Sequence, residues 1–449
     1  MITLNEVQKL PLAADVEVLV VGGGPAGVGA AFSAARLGAD TLIVEQFNCL
    51  GGIATAGGHG HICIFTAWAD AKLRIVGGIS YEMAQRIDQM GYGQLKPGDV
   101  DFEIEGMKLA LDQMAEECDC KLLYYTHFAD TVVQDGKAIG IVIQNKTGRQ
   151  FIRAKRIVDC TGDGDVAARA DCGYEKGAPD SGLCQPMTLM FTIGGVEWPR
   201  VTEWRKTEQG GLDYKMQRIW KEAQDNGDMR PFQNQIMGFW WTPTRPDQVG
   251  INFTHITHLD CTRAEDLTAA TIEGRKQAYE SIDVFRKYVP GMEKCYMVST
   301  PNTVGTRESR RIHGDYTLTK EDLMAEKEFD DSIGYGSFFI DIHSVSGPGM
   351  DNKTYRPHKG FKYQIPYGII VPKDVDNLLV AGRCASADHE ALGSLRVMPQ
   401  CTVMGHAAGA ASQLSLQDGT VPRDIDIAQL QDTLRKQKAI VTAQDIVEQ

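Results

Sequence analysis

Apolar residues fall into two alternating rhythms along the chain. VEVLVV at 16–21 is a short β-branched run of the kind that forms a parallel strand buried on both faces. A stretch of small residues follows, including Ala30, Ala31, Ala34 and Ala35, with Gly38 as its stop, and TLIV at 41–44 restores strand character. Residues 70–92 and 105–117 carry helical periodicity, the second through Met107, Leu109, Leu111 and Met114. Residues 121–159 predict a strand, then a β-meander turned at QDGK and NKTG, then the apolar strand RIVDC. The texture changes over 185–355, where Trp- and Met-bearing segments, helices near 263–288 and 319–328, and mixed strands alternate. From Tyr363 strand character resumes, and a Gly/Ala-rich helix, PQCTVMGHAAGAASQLSL, closes the pattern. The expected layout is α/β: residues 1–190 and 356–449 form one discontinuous domain, with 191–355 inserted as an α+β cap or substrate domain.

Composition narrows the function. At 449 residues the chain exceeds the ~250–300 at which one core usually divides, in keeping with two domains. A formal charge of −13 argues against a nucleic-acid partner, which needs a basic footprint. No apolar run reaches the ~18–20 residues of a membrane span, and the first residues show no basic stretch followed by an apolar core. The eleven cysteines include no C-x-x-C pair, so reduced thiols in the cytoplasm are expected, without iron–sulfur clusters or structural zinc. No closely spaced cysteine pair follows LGG at 50–52, which removes a dithiol relay.

Chemistry begins where the first strand ends. Gly22, Gly24 and Gly27 fill the spacing G-x-G-x-x-G. The first allows a tight turn, the second lets backbone approach a pyrophosphate, and the third lets helix and strand pack closely. The free N–H groups at the helix start favour a phosphate, and Glu45 stands near the ~20-residue offset of a ribose-binding acid. The turn alone leaves a nicotinamide cofactor and a flavin open. DCTGDGDVAARA at 159–170 and NLLVAGR at 377–383 are further strand ends, and a helix starts near Pro399. A nicotinamide domain does not need them. A cofactor with a long ribityl arm and a tricyclic ring does, because its contacts come from several strand ends. A helix start at 397–400 could also balance the charge on the pyrimidine edge of a reduced flavin.

These segments, with VEQFNCLGG, GTRESRRI, IPYGIIVP and RCASADHEALGSLRVMPQCTVMGHAAGAA, resemble the FAD-dependent oxidoreductase family. This is the soluble bacterial group distantly similar to the flavoprotein subunits of fumarate reductase and succinate dehydrogenase. The motifs run from residue 16 to about 411. The resemblance implies a Rossmann-like, glutathione-reductase-like fold, non-covalent FAD and redox chemistry. It places Gly22, Gly24 and Gly27 at the pyrophosphate, Glu45 with Gln46 at the adenosine ribose, and Phe128 or Ala129 at adenine. Leu50, Gly51 and Gly52 match the turn beside the ribityl chain, and Thr161, Gly162 and Asp163 the second flavin turn. Gly382 and Arg383 stand at the ribityl motif, and Val397 and Met398 at the flavin end of the last helix. Related flavoproteins often carry an acid after the AG of that motif, where this chain has Cys384. The implied reaction is hydride transfer between FAD and a small polar substrate, with carboxylates among the candidates. A flavoprotein subunit relaying electrons in a larger complex is the alternative, and a homo-oligomer is left open.

Several residues are candidates for the chemistry. If GTRESRRI is helical, Arg307 and Arg311 share a face with Arg310 adjacent. They could clamp a carboxylate or pair with Glu308 and Asp315 as structural ion pairs. His389, Glu390 and Arg396 lie between the ribityl strand and the last helix. His389 could be a general acid or base, or it could bond backbone or stack on flavin; Arg396 could balance reduced flavin or bind substrate. His59 and His61 could line the flavin, carry a covalent flavin bond or bind metal; no nearby carboxylate completes a site, so no metal is expected. His255 and His258 could reach the substrate or stay on the surface.

Overall fold

The computed structural model describes residues 9–206, 211–235 and 238–449. Its largest sheet runs in the order Lys121–Leu123, Thr41–Val44, Leu12–Val21, Gly148–Asp159, Lys137–Asn145, His127–Gln134. The first four strands are parallel and the meander is antiparallel. VEVLVV is buried on both faces: Val18 and Val20 pack under long helices, Leu19 and Val21 against the meander and the short helix Asp165–Arg169. The strand Gly148–Asp159 is long enough for two neighbours on one edge. Residues 148–153 pair with the meander, and Ile157, Val158 and Asp159 pair parallel with Leu378, Leu379 and Val380. Register therefore sets Val44, Val21, Asp159 and Val380 side by side. The residues that follow these four strand ends form one rim, the place where open α/β sheets bind ligands.

The chain's two ends meet through small residues. The helix Pro25–Arg36 leaves the glycine turn and lies along the closing helix Met398–Gln417. A Cβ at Gly405 would sit 1.9 Å from the Ala26 carbonyl oxygen, and one at Gly409 2.1 Å from that of Ala30. Only glycine lets the two backbones approach this closely. The architecture is a Rossmann-like α/β fold.

A second sheet, antiparallel throughout, takes the order Gly238–Thr242, Arg245–Asn252, Phe191–Gly194, Tyr296–Ser299. It has its own core, in which Trp220 stacks on Phe253 at 4.1 Å beside Phe285 from the helix Ala264–Tyr288. Leu318, Leu323, Ile333, Tyr335, Ile340 and Ile342, though within 191–355, pack instead into the core of the glycine-turn domain. The 191–355 stretch thus serves two cores.

Local expectations shift in three places. Residues 70–74 are a strand, Asp70–Arg74, paired with Thr66–Ala67 and Val447–Glu448; the helix begins only at Gly78, whose φ of 58° marks the break. The helix expected at 319–328 shortens to Lys320–Met324, capped by Thr319. GTRESRRI is extended rather than helical, with Arg310–Ile312 paired to Tyr174–Lys176. Among the described residues no helix is long and apolar enough to cross a membrane.

Candidate active site

The four strand ends open into a cavity of about 1120 Å³. Drug-sized ligands occupy ~300–1,000 Å³, so this one has room for a dinucleotide and a further small molecule. Gly22 and Gly24 line it, while Gly27 lies beneath, where a Cβ would fall 1.8 Å from the Gly22 carbonyl oxygen. Gly22 has φ 98°, and its Cβ would strike the Cys160 carbonyl at 2.5 Å. Gly24 is the N-cap of the helix and offers no side chain to the first-turn N–H groups, which leaves them for an anion.

Glu45 is buried at this end of the cavity. Its Oε2 accepts from the Gly23 N–H at 2.6 Å and its Oε1 from the Phe47 N–H at 2.8 Å. Burial raises its pKa despite these donors. Gln46 and Phe128 line the same end, and Ala129 does not. Leu50 and Gly51 stand behind the wall: Leu50 is fully buried, and the Gly51 N–H bonds the Gly23 carbonyl at 2.7 Å. Gly52 alone of the three reaches the cavity.

The second turn is tied down by Asp159. It accepts from the Thr161 N–H and hydroxyl at 3.0 and 2.7 Å and from the Ala167 N–H at 2.9 Å. Burial pushes its carboxyl up to about 6. Thr161, Gly162, Asp163, Gly382 and Arg383 all line the cavity. Arg383 Nη1 is held by Asp163 Oδ1 at 2.6 Å and Ser309 Oγ at 3.0 Å, so this pair joins the two motifs. Cys384 is buried behind them. Val397 and Met398 line the far end; Val397 is an N-cap without a side-chain cap, so a second helix start opens on the same space. Two uncapped helix N-termini at separate places in one cavity suit a cofactor with a pyrophosphate and an electron-rich ring, and these residues fit FAD.

The rest of the cavity is lined by groups from both cores. In the extended 305–312 segment the three arginines part company. Arg310 Nη1 bonds the Asp163 carbonyl at 2.9 Å and Asp165 Oδ1 at 2.8 Å, and is absent from the cavity. Arg311 is buried against Glu308 and the Gly177 carbonyl. Arg307 lines the cavity, with Nη1 on the Pro186 carbonyl at 2.8 Å. It is 6% exposed, and no carboxylate forms an ion pair with it among the described residues. Burial, then the neighbouring Arg396, lowers its pKa to about 9. Arg396 bonds Asp341 Oδ2 at 3.0 Å. His343 and Asp341 alternate with buried Ile340 and Ile342 and line the cavity. Burial, then Arg307, brings His343 down to about 4. The buried Arg396 Nε and His343 Nδ1 have no partner among the described residues.

His389 requires correction. It is buried, its Nδ1 lies 2.9 Å from Glu308 Oε1, and it does not line the cavity. With Arg311 it satisfies the buried Glu308 carboxylate, so it braces the arginine segment rather than meeting a ligand. Arg310 is corrected too: its acceptors are the Asp163 carbonyl and the Asp165 carboxylate at the start of the following helix, so it braces the second turn. Of the other histidines, His258 is exposed, and His255 is buried with its ring centroid 6.0 Å from that of His343.

His59 and His61 both line the cavity. The expectation that no carboxylate stands near them is overturned. Strand pairing sets His61 opposite Asp101, and Nδ1 lies 2.6 Å from Asp101 Oδ1. Lys96 Nζ sits 2.6 Å from Asp101 Oδ2 and 3.4 Å from Asp99 Oδ1, one ammonium against two carboxylates. Burial opposes charge on His61, but the Asp101 hydrogen bond and the neighbouring Cys63 outweigh it and lift its pKa to about 10. His59, its ring centroid 4.5 Å from that of Trp240 and tilted to it, is brought down to about 3 by burial and by His61. Asp101, Lys96, Asp341 and His343 escaped the sequence reading. The alternation in IDIH at 340–343 was a visible signal; the Asp101 pairing was not.

The model of the family described as FAD dependent oxidoreductase matches residues 17–434. The thiamine thiazole synthase of Aeropyrum pernix is 32% identical over 184 residues, 38% of this chain and 63% of that protein. Its counterpart in Methanococcus aeolicus is 28% identical over 183 residues, again 38% of this chain. The chain thus spans 63% of the length of these curated relatives. Among solved structures, a geranylgeranyl bacteriochlorophyll reductase-like protein from Thermoplasma acidophilum aligns with TM-score 0.48 and 14% identity, over 94% of this chain and 83% of that one. With the family match spanning both ends of the rim, the chain belongs to the FAD dependent oxidoreductase family and is a flavoenzyme whose cofactor is FAD.

Proposed function

We propose that the enzyme transfers a hydride between FAD and a small polar substrate bearing a carboxylate. One observation carries this reading: Arg307 is a buried guanidinium on the cavity wall without a carboxylate partner among the described residues. Asp341 favours its charge but is bonded to Arg396; a buried cation with no ion pair of its own is costly, and an anionic ligand offsets that cost. The unpartnered Arg396 Nε–H adds a donor near the same place. Arg307 would take the carboxylate through paired N–H bonds, and Phe338 and Phe339, ring centroids 4.5 Å apart, would keep water from it.

FAD supplies the two-electron chemistry when bound. In this reading Gly22 and Gly24 receive the pyrophosphate, Glu45 and Gln46 the adenosine ribose, and Phe128 the adenine. Gly52, Thr161, Gly162 and Gly382 flank the ribityl arm, with Arg383 held on Asp163 behind it. Val397 and Met398 meet the pyrimidine edge. The second sheet forms the substrate side of the cavity through Met190, Trp240 and Asn252, and we place the enzyme in the cytoplasm, where its free thiols stay reduced.

The test is anaerobic mixing of the yellow holoenzyme with a panel of small 2-hydroxy acids, 2-amino acids and their uncharged amides. Bleaching or a flavin spectral shift with the acids, lost with the amides, is expected. A response to the amides and none to the acids would overturn the reading.

A further inference from the structure

We infer that His61, oriented by Asp101, is the proton donor to the substrate, which would be a carbonyl-bearing carboxylate reduced at that carbonyl. This rests on the carboxylate reading of the cavity. Two short strands build the pair. His61–Cys63 runs antiparallel to Asp99–Phe102, with His61 opposite Asp101 and Cys63 opposite Asp99. The two-residue period of a strand puts these four side chains on one face, while Ile62 and Val100 on the other sink into the core. The polar face opens on the cavity through His61, Cys63, Lys96 and Asp101.

With Nδ1 committed to Asp101, Nε2 is the ring nitrogen without a carboxylate partner, and Cys63 lies against the ring. Asp101 is itself buried and takes Lys96 on its second oxygen, so the carboxylate is braced from behind. The charged and titratable groups facing His61 are Asp101, Asp99, Lys96, Cys63 and His59. Two carboxylates against one ammonium leave a negative charge for the imidazolium to balance. His59, buried beside it, is held neutral, so His61 is the charged member of the two.

The step is a proton transfer coupled to reduction. A reduced flavin would supply a hydride, two electrons with one proton, to the substrate carbonyl carbon, and the C=O π pair would move to oxygen. The Nε2–H bond of His61 breaks, its electron pair stays on nitrogen, and the O–H bond forms. The products are a neutral hydroxyl and a neutral imidazole still bonded to Asp101.

Two measurements on the holoenzyme decide this. The first is an NMR titration of isotope-labelled histidine, with His61→Gln assigning the signal. His61 is expected to stay protonated well above neutrality, and in Asp101→Asn to titrate near the ordinary ~6.5. The second is anaerobic reoxidation of the chemically reduced holoenzyme by pyruvate and by 2-oxoglutarate. His61→Gln should slow it by about 100-fold or more while the acid's affinity, read from the flavin spectrum, changes little, and added imidazole should restore His61→Ala. Wild-type titration at an ordinary value, or reoxidation of His61→Gln as fast as wild type, overturns the inference and leaves the carboxylate site standing. If no 2-oxo acid perturbs or reoxidises the wild-type flavin this inference falls, and the carboxylate reading falls with it when the 2-hydroxy and 2-amino acids are silent as well.

Discussion

Arg307 and His61 show how differently two residues can be legible. Arg307 sits in a motif whose composition left an anion clamp and structural ion pairs both open; the helical spacing considered for it does not form, and its neighbours Arg310 and Arg311 take the structural role. Truncating it as Arg307→Ala removes charged hydrogen bonds of ~1.5–3 kcal/mol, so the affinity for a carboxylate probe should fall about ten- to a hundredfold while FAD stays bound; inhibitor titration followed by flavin fluorescence checks this. His61 was ambiguous because its partner is far away in sequence and arrives by strand register. A folded-state pKa lifted to about 10 stabilises the native state below the unfolded value of ~6.5 and loses that contribution as pH rises through about 10. The stability advantage of wild type over His61→Gln, measured by urea melts, should therefore be largest in acid and shrink toward alkaline pH.

At the level of elements, motifs that are contiguous in sequence were readable, and pairings were not. The glycine turn, the meander and the closing helix depend on local backbone needs, so their residues announce them. Asp70–Arg74 looked helical because its apolar spacing suits either period, and only the partner strands Thr66–Ala67 and Val447–Glu448 decide. The contact between the first and last long helices is the most exacting of these pairings. Gly405→Ala places a methyl 1.9 Å from the Ala26 carbonyl oxygen, and neither backbone can yield without moving the glycine turn. Overpacking of this kind costs ~1–3 kcal/mol. A lower melting temperature is expected together with at least a severalfold loss of FAD affinity; calorimetric melts and FAD titration of the apoprotein would show both. A surface control such as Gly419→Ala, with no atom within 4 Å of its Cβ but φ of 65°, should lose stability without losing FAD affinity.

For the molecule as a whole, the meeting of the chain's two ends was legible because three strand ends repeat the same strand-to-turn signature. The path from 318 to 355 was not: its apolar residues could serve either core, and they join the first. Several histidines are buried neutral in the assembled fold, His59 and His255 at about 3, His343 and His406 at about 4, each lowered chiefly by burial. A base with a depressed folded pKa stabilises the native state above its unfolded value of ~6.5, and that contribution is lost as pH falls toward the folded pKa. Stability should accordingly decline from near-neutral pH toward pH 4 with net proton uptake on unfolding, which calorimetry in buffers of different ionisation enthalpy can count. The most direct test of the whole account is a crystal structure of the holoenzyme with FAD and a bound small carboxylate. The account predicts the pyrophosphate on Gly22 and Gly24, the flavin ring at Val397 and Met398, and the carboxylate on Arg307. A ring lodged at the Glu45 and Phe128 end, or an acid bound away from Arg307, would contradict it.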